Sequence, residues 1–332
     1  MTLEPFKLES SDDPGKKAGS QQRMVSFLSS ELADAPDRER SGRSGVGGVP
    51  LVVSHGGGSN STAMLIGMVR RGVRPDLIAF ADTGGERPET YQFIGEFSAW
   101  LEVKGFPAIT VCRTTGETLE ENCLRRKALP SVAFGRQFKT CSQRWKIEPI
   151  DRMLNGWPVA VAAWGEGKRV IKLLGFDAGE AHRIKSYSDA KFVIEYPLVA
   201  WGWNRRRCVE VCAEEGFKPG KSSCFFCPNM KPGEILRLRE AHPALVERAV
   251  AMERNNETKI IGLGRDWTWD ALLSNDAAQE RIFADYSEEM PCGCYDGGDS
   301  ESEVCGGGAE RQGDAPTTAE KEANMDSAPN PA

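Results

Sequence analysis

The stretch of sequence that decides the fold is Leu51-Val52-Val53-Ser54-His55-Gly56-Gly57-Gly58-Ser59-Asn60-Ser61-Thr62. A short apolar run enters it and apolar residues at helical spacing follow it, which predicts a buried strand, a tight turn and a helix. Three glycines allow backbone N–H groups to turn inward, and the helix N-terminus adds partial positive charge. The sequence therefore predicts a loop that holds phosphate groups.

The predicted ligand contacts of this loop are Ser54, Gly56, Gly57, Gly58, Ser59, Asn60, Ser61 and Thr62. The loop is not a Walker loop, because the GxxxxGK[ST] spacing and its lysine are absent. It is not a dinucleotide fingerprint, because GxGxxG is absent. The remaining alternative is a glycine-rich turn that joins a strand to a helix and binds nothing.

Outward from the loop, strand-like and helix-like segments alternate. Strands are predicted at 49–53, 76–80, 107–111 and 170–174, and helices at 61–71, 88–104, 117–128 and 144–154. This alternation predicts an α/β fold with a doubly wound parallel sheet of Rossmann-like type, covered by helices on both faces. Right-handed crossovers place the carboxyl ends of the strands at one edge, where ligands bind.

Composition divides the chain into four parts. Residues 1–48 and 296–332 are rich in Gly, Ser, Pro and charged residues, and both segments are predicted to be disordered. Residues 49–200 form the predicted nucleotide-binding α/β domain. Residues 201–295 form a smaller helical extension that carries a CxxC pair, with helices predicted at 204–215, 233–240 and 243–253.

Charge and hydropathy exclude several classes of protein. The 332 residues carry a net charge of -6, so no global positive field attracts nucleic acid. The run Arg205-Arg206-Arg207 is the best candidate for a local basic patch, and its ordinary interpretation is a solvated helix face. No apolar run approaches the length of a membrane span, and no signal-peptide pattern opens the sequence, so a cytoplasmic location without a membrane partner is expected.

Ten cysteines and three histidines limit the metal chemistry that the chain can support. In a reducing compartment such unevenly spaced cysteines indicate metal binding or thiol chemistry rather than a disulfide framework. A metal site would depend mainly on thiolates, because histidines are scarce. The alternative is that the cysteines are small buried hydrophobic residues, and that the pair Cys292 and Cys294 is only an exposed thiol pair.

Five segments in order carry a family resemblance. The loop resembles the PP-loop, S-x-S-G-G-K-D-S-T, of the adenine-nucleotide α-hydrolase superfamily. The other four resemble motifs of its phosphoadenylyl-sulfate (PAPS) reductase branch, and they are Asp82-Thr83-Gly84 with Pro88-Glu89-Thr90-Tyr91, Cys141-Ser142-Gln143-Arg144-Trp145-Lys146-Ile147-Glu148-Pro149, Gly175 to Arg183, and Cys224-Phe225-Phe226-Cys227-Pro228. The chain departs from these motifs at Ser59, where the family has Lys, at Asn60, where it has Asp, and at Asp177, where it has Arg.

The resemblance implies a set of site residues. The ligand would be ATP or a sulfonucleotide (adenylyl sulfate or PAPS), held by the loop and by Asp82, Thr83, Gly84 and Glu89, with Mg²⁺ as the cation for ATP. Lys146 and Arg183 would stabilise developing charge, and Cys292 or Cys294 would supply a nucleophile. A [4Fe–4S] cluster, with zinc as its rival, would be held by Cys141, Cys224 and Cys227, with Cys212 as the preferred fourth ligand ahead of Cys208 and Cys123.

The resemblance leaves two reactions open. In one, ATP adenylylates a substrate oxygen and sulfur from a donor protein displaces AMP, as in nucleic-acid thiolation. In the other, a cysteine attacks the sulfur of a sulfonucleotide and reduces it. The alternative to an enzyme is a nucleotide-binding module that regulates a partner without turnover.

Overall fold

The computed structural model describes residues 48–130, 140–184 and 189–275. Its strands form one parallel sheet with the order β3-β2-β1-β4-β5. They are β1 (Leu51–Ser54), β2 (Leu77–Asp82), β3 (Ile109–Arg113), β4 (Val170–Leu174) and β5 (Phe192–Glu195). The strand order reverses at β1, which pairs with both β2 and β4. This reversal opens a crevice at the carboxyl ends of the strands, directly after Ser54.

Helices flank the sheet in the described ranges. They are α1 (Ser59–Arg70), α2 (Pro88–Val103), α3 (Leu119–Arg125), α4 (Thr140–Ser142), α5 (Glu148–Gly156), α6 (Pro158–Gly165), α7 (Pro197–Ala200), α8 (Arg205–Glu214), α9 (Pro232–Ala241), α10 (Pro243–Arg254) and α11 (Trp269–Leu273). A π-helical turn, Gln143–Ile147, joins α4 to α5, and a 3₁₀ helix, Ala178–Arg183, follows β4. The expected α/β class with a doubly wound parallel sheet is confirmed.

Element boundaries follow local capping where the sequence offers it. The helix predicted at 117–128 runs only over Leu119–Arg125, because Thr118 caps it and Glu121 completes a capping box. The sequence analysis did not predict α6 and β5. Helix α6, with the sequence PVAVAAWG, has no polar face and so no helical period. Strand β5 has only four residues, of which one is fully buried.

Helix α1 lies between the sheet and α8, so the glycine loop connects two buried elements, β1 and α1. Met64, Leu65 and Met68 are fully buried against the sheet, and Cys208 and Val211 of α8 share their apolar cluster. Burial of these apolar side chains is the main contribution that fixes α1, and with it the loop, in place. No described helix is both long enough and apolar enough to cross a membrane. The domain boundary at residue 200 stays a prediction.

A second apolar cluster lies under α9, α10 and α11. It contains the buried aromatic side chains of Phe225, Phe226 and Trp269, together with several cysteines. Residues 1–47 and 276–332 lie outside the described residues. The predictions of disorder at both ends, and the predicted roles of Cys292 and Cys294, therefore stay predictions.

Candidate nucleotide and cysteine site

The glycine loop is held in shape by its own hydroxyl groups. Gly57 has φ 76°, a conformation that glycine adopts without strain. The Gly56 N–H donates to Ser61 Oγ at 3.1 Å, and Ser61 Oγ donates to the Gly58 carbonyl at 3.2 Å. Thr62 Oγ1 donates to the same carbonyl at 2.9 Å. These two hydroxyls build the turn, and the predicted contact of Ser61 and Thr62 with a ligand stays a prediction.

The end of β4 sits directly against the first turn of α1. A Cβ atom added at Gly175 would lie 2.8 Å from Ser61 Cα and 2.9 Å from Ser61 N, so only glycine fits without moving the helix backbone. This contact sets the width of the crevice between β1 and β4. The loop and the end of β4 therefore form two walls of one cleft.

Sixteen residues line this cleft. They are Ser54, Gly56, Gly58, Ser59, Asn60, Ser61, Lys146, Leu174, Gly175, Phe176, Glu180, Arg183, Arg205, Gly220, Lys221 and Ser222. Of the predicted loop contacts, only Gly57 and Thr62 are outside this lining. The predicted charge-stabilising residues Lys146 and Arg183 both belong to it. Lys146 reaches the cleft from the π-helical turn, a geometry that recurs at functional sites.

Three of the four cations in the cleft have a carboxylate partner. Lys146 Nζ lies 3.6 Å from Glu86 Oε1, and both side chains are buried. Lys221 Nζ donates to Glu234 at 2.7 Å. Arg183 pairs with Glu180. Such pairs keep each charge in place in a partly dehydrated cleft, where an anion would be attracted strongly.

Asn60 joins two sides of the cleft through its carboxamide. Its Nδ2 donates to Asp177 Oδ2 at 2.9 Å and to Glu180 Oε2 at 3.1 Å. Its Oδ1 accepts from Arg205 at 3.0 Å. Only an amide offers both donor and acceptor in this arrangement, since a carboxylate at position 60 would face two other carboxylates.

The residues after β2 lie outside the cleft lining. Asp82 accepts from the Gly84 N–H and Tyr91 Oη, both at 2.8 Å, and from Arg113 Nε at 2.7 Å. Asp82, Thr83 and Gly84 line a separate cavity. Glu89 is mostly exposed and pairs with His242, which lies between α9 and α10. Nucleotide binding by these four residues stays a prediction.

Four cysteines gather in the second apolar cluster. Cys123 and Cys224 are buried within it, and Cys141 and Cys227 pack against it. Cys224 Sγ shares a hydrogen bond of 3.0 Å with Thr83 Oγ1. Burial raises the pKa of Cys123 to about 12 and raises the pKa of the Cys224 and Cys227 thiols. Without a cation beside them these thiols are therefore protonated at neutral pH.

Cys212, the preferred fourth metal ligand, lies in a different place. It packs with Cys208 in the cluster around α1, and its Sγ donates to the Ser59 carbonyl at 3.5 Å. Cys123, the last of the three candidates, is the one that shares the cluster of Cys141, Cys224 and Cys227. Among the described residues, no group of three or more His, Cys, Asp or Glu side chains is placed to hold a metal ion. The thiols fit iron or zinc chemically, but their placement does not fit a formed site.

A short segment connects the cleft to the cysteine cluster. Ser222 lines the cleft and donates to Glu86 Oε2 at 3.3 Å. Two residues later, Cys224 forms an antiparallel bridge with Glu86, and the Phe225 N–H donates to the Gly85 carbonyl at 2.8 Å. The buried Glu86 and Lys146 side chains therefore stand between the nucleotide loop and the thiols.

Sequence reasoning missed some residues of the cleft. Lys221 and Ser222 follow a glycine in a loop with no recognised pattern. Arg205 belonged to a basic run that was interpreted as a solvated face, and this holds for Arg206, whose side chain is 87% exposed. The Asn204 cap signal could have placed Arg205 at a helix start, but not beside the glycine loop.

Known proteins share features with this chain. An uncharacterized protein of Methanocaldococcus jannaschii is 25% identical over 230 residues, which are 66% of this chain and 44% of that protein. The chain thus spans less than half the length of this curated relative. The U34-tRNA thiolase NcsA from Methanococcus maripaludis with its [4Fe-4S] cluster aligns at 12% identity over 77% of this chain and 89% of that one, with a TM-score of 0.39. So low a score supports no conclusion about this chain.

A family model gives the decisive comparison. The model described as the phosphoadenosine phosphosulfate reductase domain matches residues 50–205. The matched range begins just before β1 and ends at the first residue of α8, so it contains the whole described sheet, the glycine loop and the 3₁₀ helix with Arg183. Residues 50–205 of the chain are therefore similar to the phosphoadenosine phosphosulfate reductase domain.

Proposed function

We propose that the cleft binds an adenine nucleotide and that the chain uses it in sulfur chemistry. The observation that carries the proposal is the convergence of the glycine loop at the α1 N-terminus with Lys146, Arg183, Arg205 and Lys221 on one cleft. Backbone N–H groups and cations in one crevice are the ordinary means of holding phosphate. The neighbouring thiols supply the second half of the argument, because Ser222 and Cys224 belong to one loop.

Sulfur transfer to an adenylylated acceptor is the reaction that the geometry supports best. An oxygen of the acceptor attacks the α-phosphorus of ATP, and the bond to pyrophosphate breaks. Hydrosulfide delivered by a donor protein then attacks the acceptor carbon and loses its proton, and AMP leaves with the oxygen. The acceptor gains sulfur in place of oxygen, and no electron is gained or lost.

The residues of this chain act in that reaction by charge and position. The loop N–H groups and Lys146 would stabilise the negative charge that develops on the phosphate oxygens. Glu86 would hold Lys146 in place from the dry side of the cleft. Arg183, fixed by Glu180, would contact the same anion from the opposite wall. A nucleic acid is one class of acceptor compatible with an open cleft.

Pyrophosphate and AMP release tests the proposal. Purified protein is incubated with ATP, a sulfide source and candidate acceptors, and both products are quantified. Lys146→Met should abolish both products while nucleotide binding persists, and Lys168→Met is the matched control, because Lys168 is a surface lysine paired with Glu166. A chain that binds no adenine nucleotide in calorimetry refutes the proposal. Binding without any turnover instead identifies a regulatory nucleotide-binding module.

Reduction of a sulfonucleotide is the second candidate. It is favoured by Ser59, because the loop lacks the lysine that would contact the phosphates of ATP. In this reaction a thiolate attacks the sulfate sulfur and AMP or its 3′-phosphate leaves. A second thiol then releases sulfite and leaves a disulfide. Sulfite formed from adenylyl sulfate or PAPS, without pyrophosphate release from ATP, would establish this alternative.

We further propose that Cys141, Cys224 and Cys227 bind iron or zinc, with Cys123 as their neighbour. The proposal is supported by the shared apolar cluster, since thiols gathered in one place can become metal ligands once a cation stabilises their ionised form. The side chains must move to reach ligand distance. No step of the reaction above depends on this metal.

A further inference from the structure

The positive charge of Arg205 is not neutralised by any carboxylate of the described ranges. Lys146, Arg183 and Lys221 each pair with a glutamate, whereas Arg205 donates only to the neutral oxygen of Asn60, at 3.0 Å. Its Nε is buried and has no hydrogen-bond partner within residues 48–130, 140–184 and 189–275. A guanidinium carries five N–H donors, so most of its donor capacity remains unused by the described part of the chain. A buried donor without an acceptor is costly unless a ligand supplies one.

The backbone around Arg205 adds to its positive potential. Arg205 is the first residue of α8, and Asn204 caps that helix by accepting the Arg207 N–H at 2.9 Å. The N-terminus of α8 therefore lies at the same cleft as the N-terminus of α1, which follows Gly58. Two helix N-termini and one guanidinium face a single crevice.

The amide at position 60 keeps this charge available. An aspartate there would place a carboxylate 3.0 Å from the Arg205 guanidinium and neutralise it. Asn60 instead fixes the direction of the guanidinium through its carbonyl oxygen and satisfies Asp177 and Glu180 through its NH₂ group. Ser59, at the position where a lysine would extend into the cleft, points its hydroxyl to the Pro219 carbonyl at 3.4 Å. The glycine loop thus carries no cation of its own at position 59, and the guanidinium of Arg205 from α8 lies beside the loop.

We propose that Arg205 binds a phosphate or sulfate oxyanion of the nucleotide and replaces the charge that the loop lacks at Ser59. The ligand is a tetrahedral oxyanion attached to adenosine, which Arg205 contacts with its unused N–H donors. Asn60 is the positioning residue that orients the guanidinium. This inference rests on the proposed nucleotide site and adds to it a specific anion-binding residue.

Binding of ATP, adenylyl sulfate and adenosine to four proteins tests the inference. Arg205→Gln should lower the affinity for ATP or adenylyl sulfate about 10- to 100-fold, since hydrogen bonds to charged groups contribute about 1.5–3 kcal/mol. Adenosine, which has no oxyanion, should bind the variant as it binds wild type. Arg206→Gln is the matched control, because it removes the same charge from the next residue in the chain. The Arg206 side chain is 87% exposed and pairs with Glu210. Arg205→Lys should lose an intermediate amount of affinity, because lysine keeps the charge but lacks the paired N–H donors of a guanidinium.

A rescue variant separates charge from structure. Ser59 lines the same cleft, so Ser59→Lys in the Arg205→Gln background should recover most of the lost affinity. The salt dependence of ATP binding should fall in Arg205→Gln and return in the rescued variant. If wild type binds ATP or adenylyl sulfate and Arg205→Gln binds both equally well, this inference is overturned while the proposed function stands. If wild type binds neither, both are overturned.

Discussion

His55 provides a quantitative prediction about stability and pH. It follows Ser54 in the phosphate loop and is fully buried, and its ring lies 5.6 Å from that of Phe97. Neither ring nitrogen has a hydrogen-bond partner among the residues that the structure describes. Burial lowers the pKa of His55 from 6.5 to about 3, because no neighbour stabilises an imidazolium in this apolar environment. Acidification should therefore destabilise the fold through this one side chain.

The sign and size follow from proton linkage. The unfolded chain binds the proton at a pH near 6.5 and the folded chain only near 3, so His55 contributes no penalty above pH 6.5. Its destabilising effect grows as the pH falls between these two values. Each pH unit costs about 1.4 kcal/mol, so at a pH of ~5 the loss is roughly 2 kcal/mol.

Urea unfolding of wild type and His55→Phe at neutral pH and at a pH of ~5 measures this effect. Phenylalanine keeps the ring packing on Phe97 and cannot be protonated. The free energy of unfolding of His55→Phe minus that of wild type should therefore increase by roughly 2 kcal/mol on acidification. The comparison with wild type cancels other groups, notably Glu195, whose pKa burial raises to about 7 and which acts with the opposite sign. A difference that stays constant with pH would refute the assignment of a buried neutral imidazole.

Three further predictions concern the loop, the thiols and a helix cap. Gly175→Ala should abolish nucleotide binding by displacing the α1 backbone, whereas Gly156→Ala, which meets no neighbouring atom, should bind as wild type does in calorimetry. Protein purified without oxygen should contain iron or zinc by elemental analysis, Cys224→Ser should lose it, and Cys112→Ser should retain it; metal-free wild type would disprove the site. Thr118→Ala should lower the free energy of unfolding by about 1 kcal/mol through loss of the α3 capping box, and an unchanged urea midpoint would contradict that role.

The local signals in the sequence were sufficient to predict strands β1 to β4 and the loop. Strand β4 occurs at the predicted residues, and α1 begins within two residues of its predicted start. These elements combine a continuous apolar run or a helical period with glycine at the turn, so each local preference agrees with the final fold. Helix α6 has no such period, and its place in the fold depends on packing against the sheet.

The roles of individual polar side chains were harder to predict from the sequence. Asp82 accepts hydrogen bonds from Gly84, Tyr91 and Arg113, which the sequence did not indicate, and its contact with a ligand stays a prediction. The hydroxyls of Ser61 and Thr62 donate to the Gly58 carbonyl and so build the turn, and Ser61 also lines the cleft. Such choices depend on which donors lie nearby in space, and residues tens of positions apart in the chain supply them.

The sequence by itself determined that this chain would form a parallel α/β sheet with an anion-binding glycine loop at its edge. Only the tertiary structure decided that Arg205 enters the cleft while Arg206 remains in solvent, and that Cys123 rather than Cys212 joins the other thiols. The reason is that periodicity and turn chemistry are local properties, whereas charge pairing and burial depend on how α8 and the cysteine loop pack against α1 and the sheet.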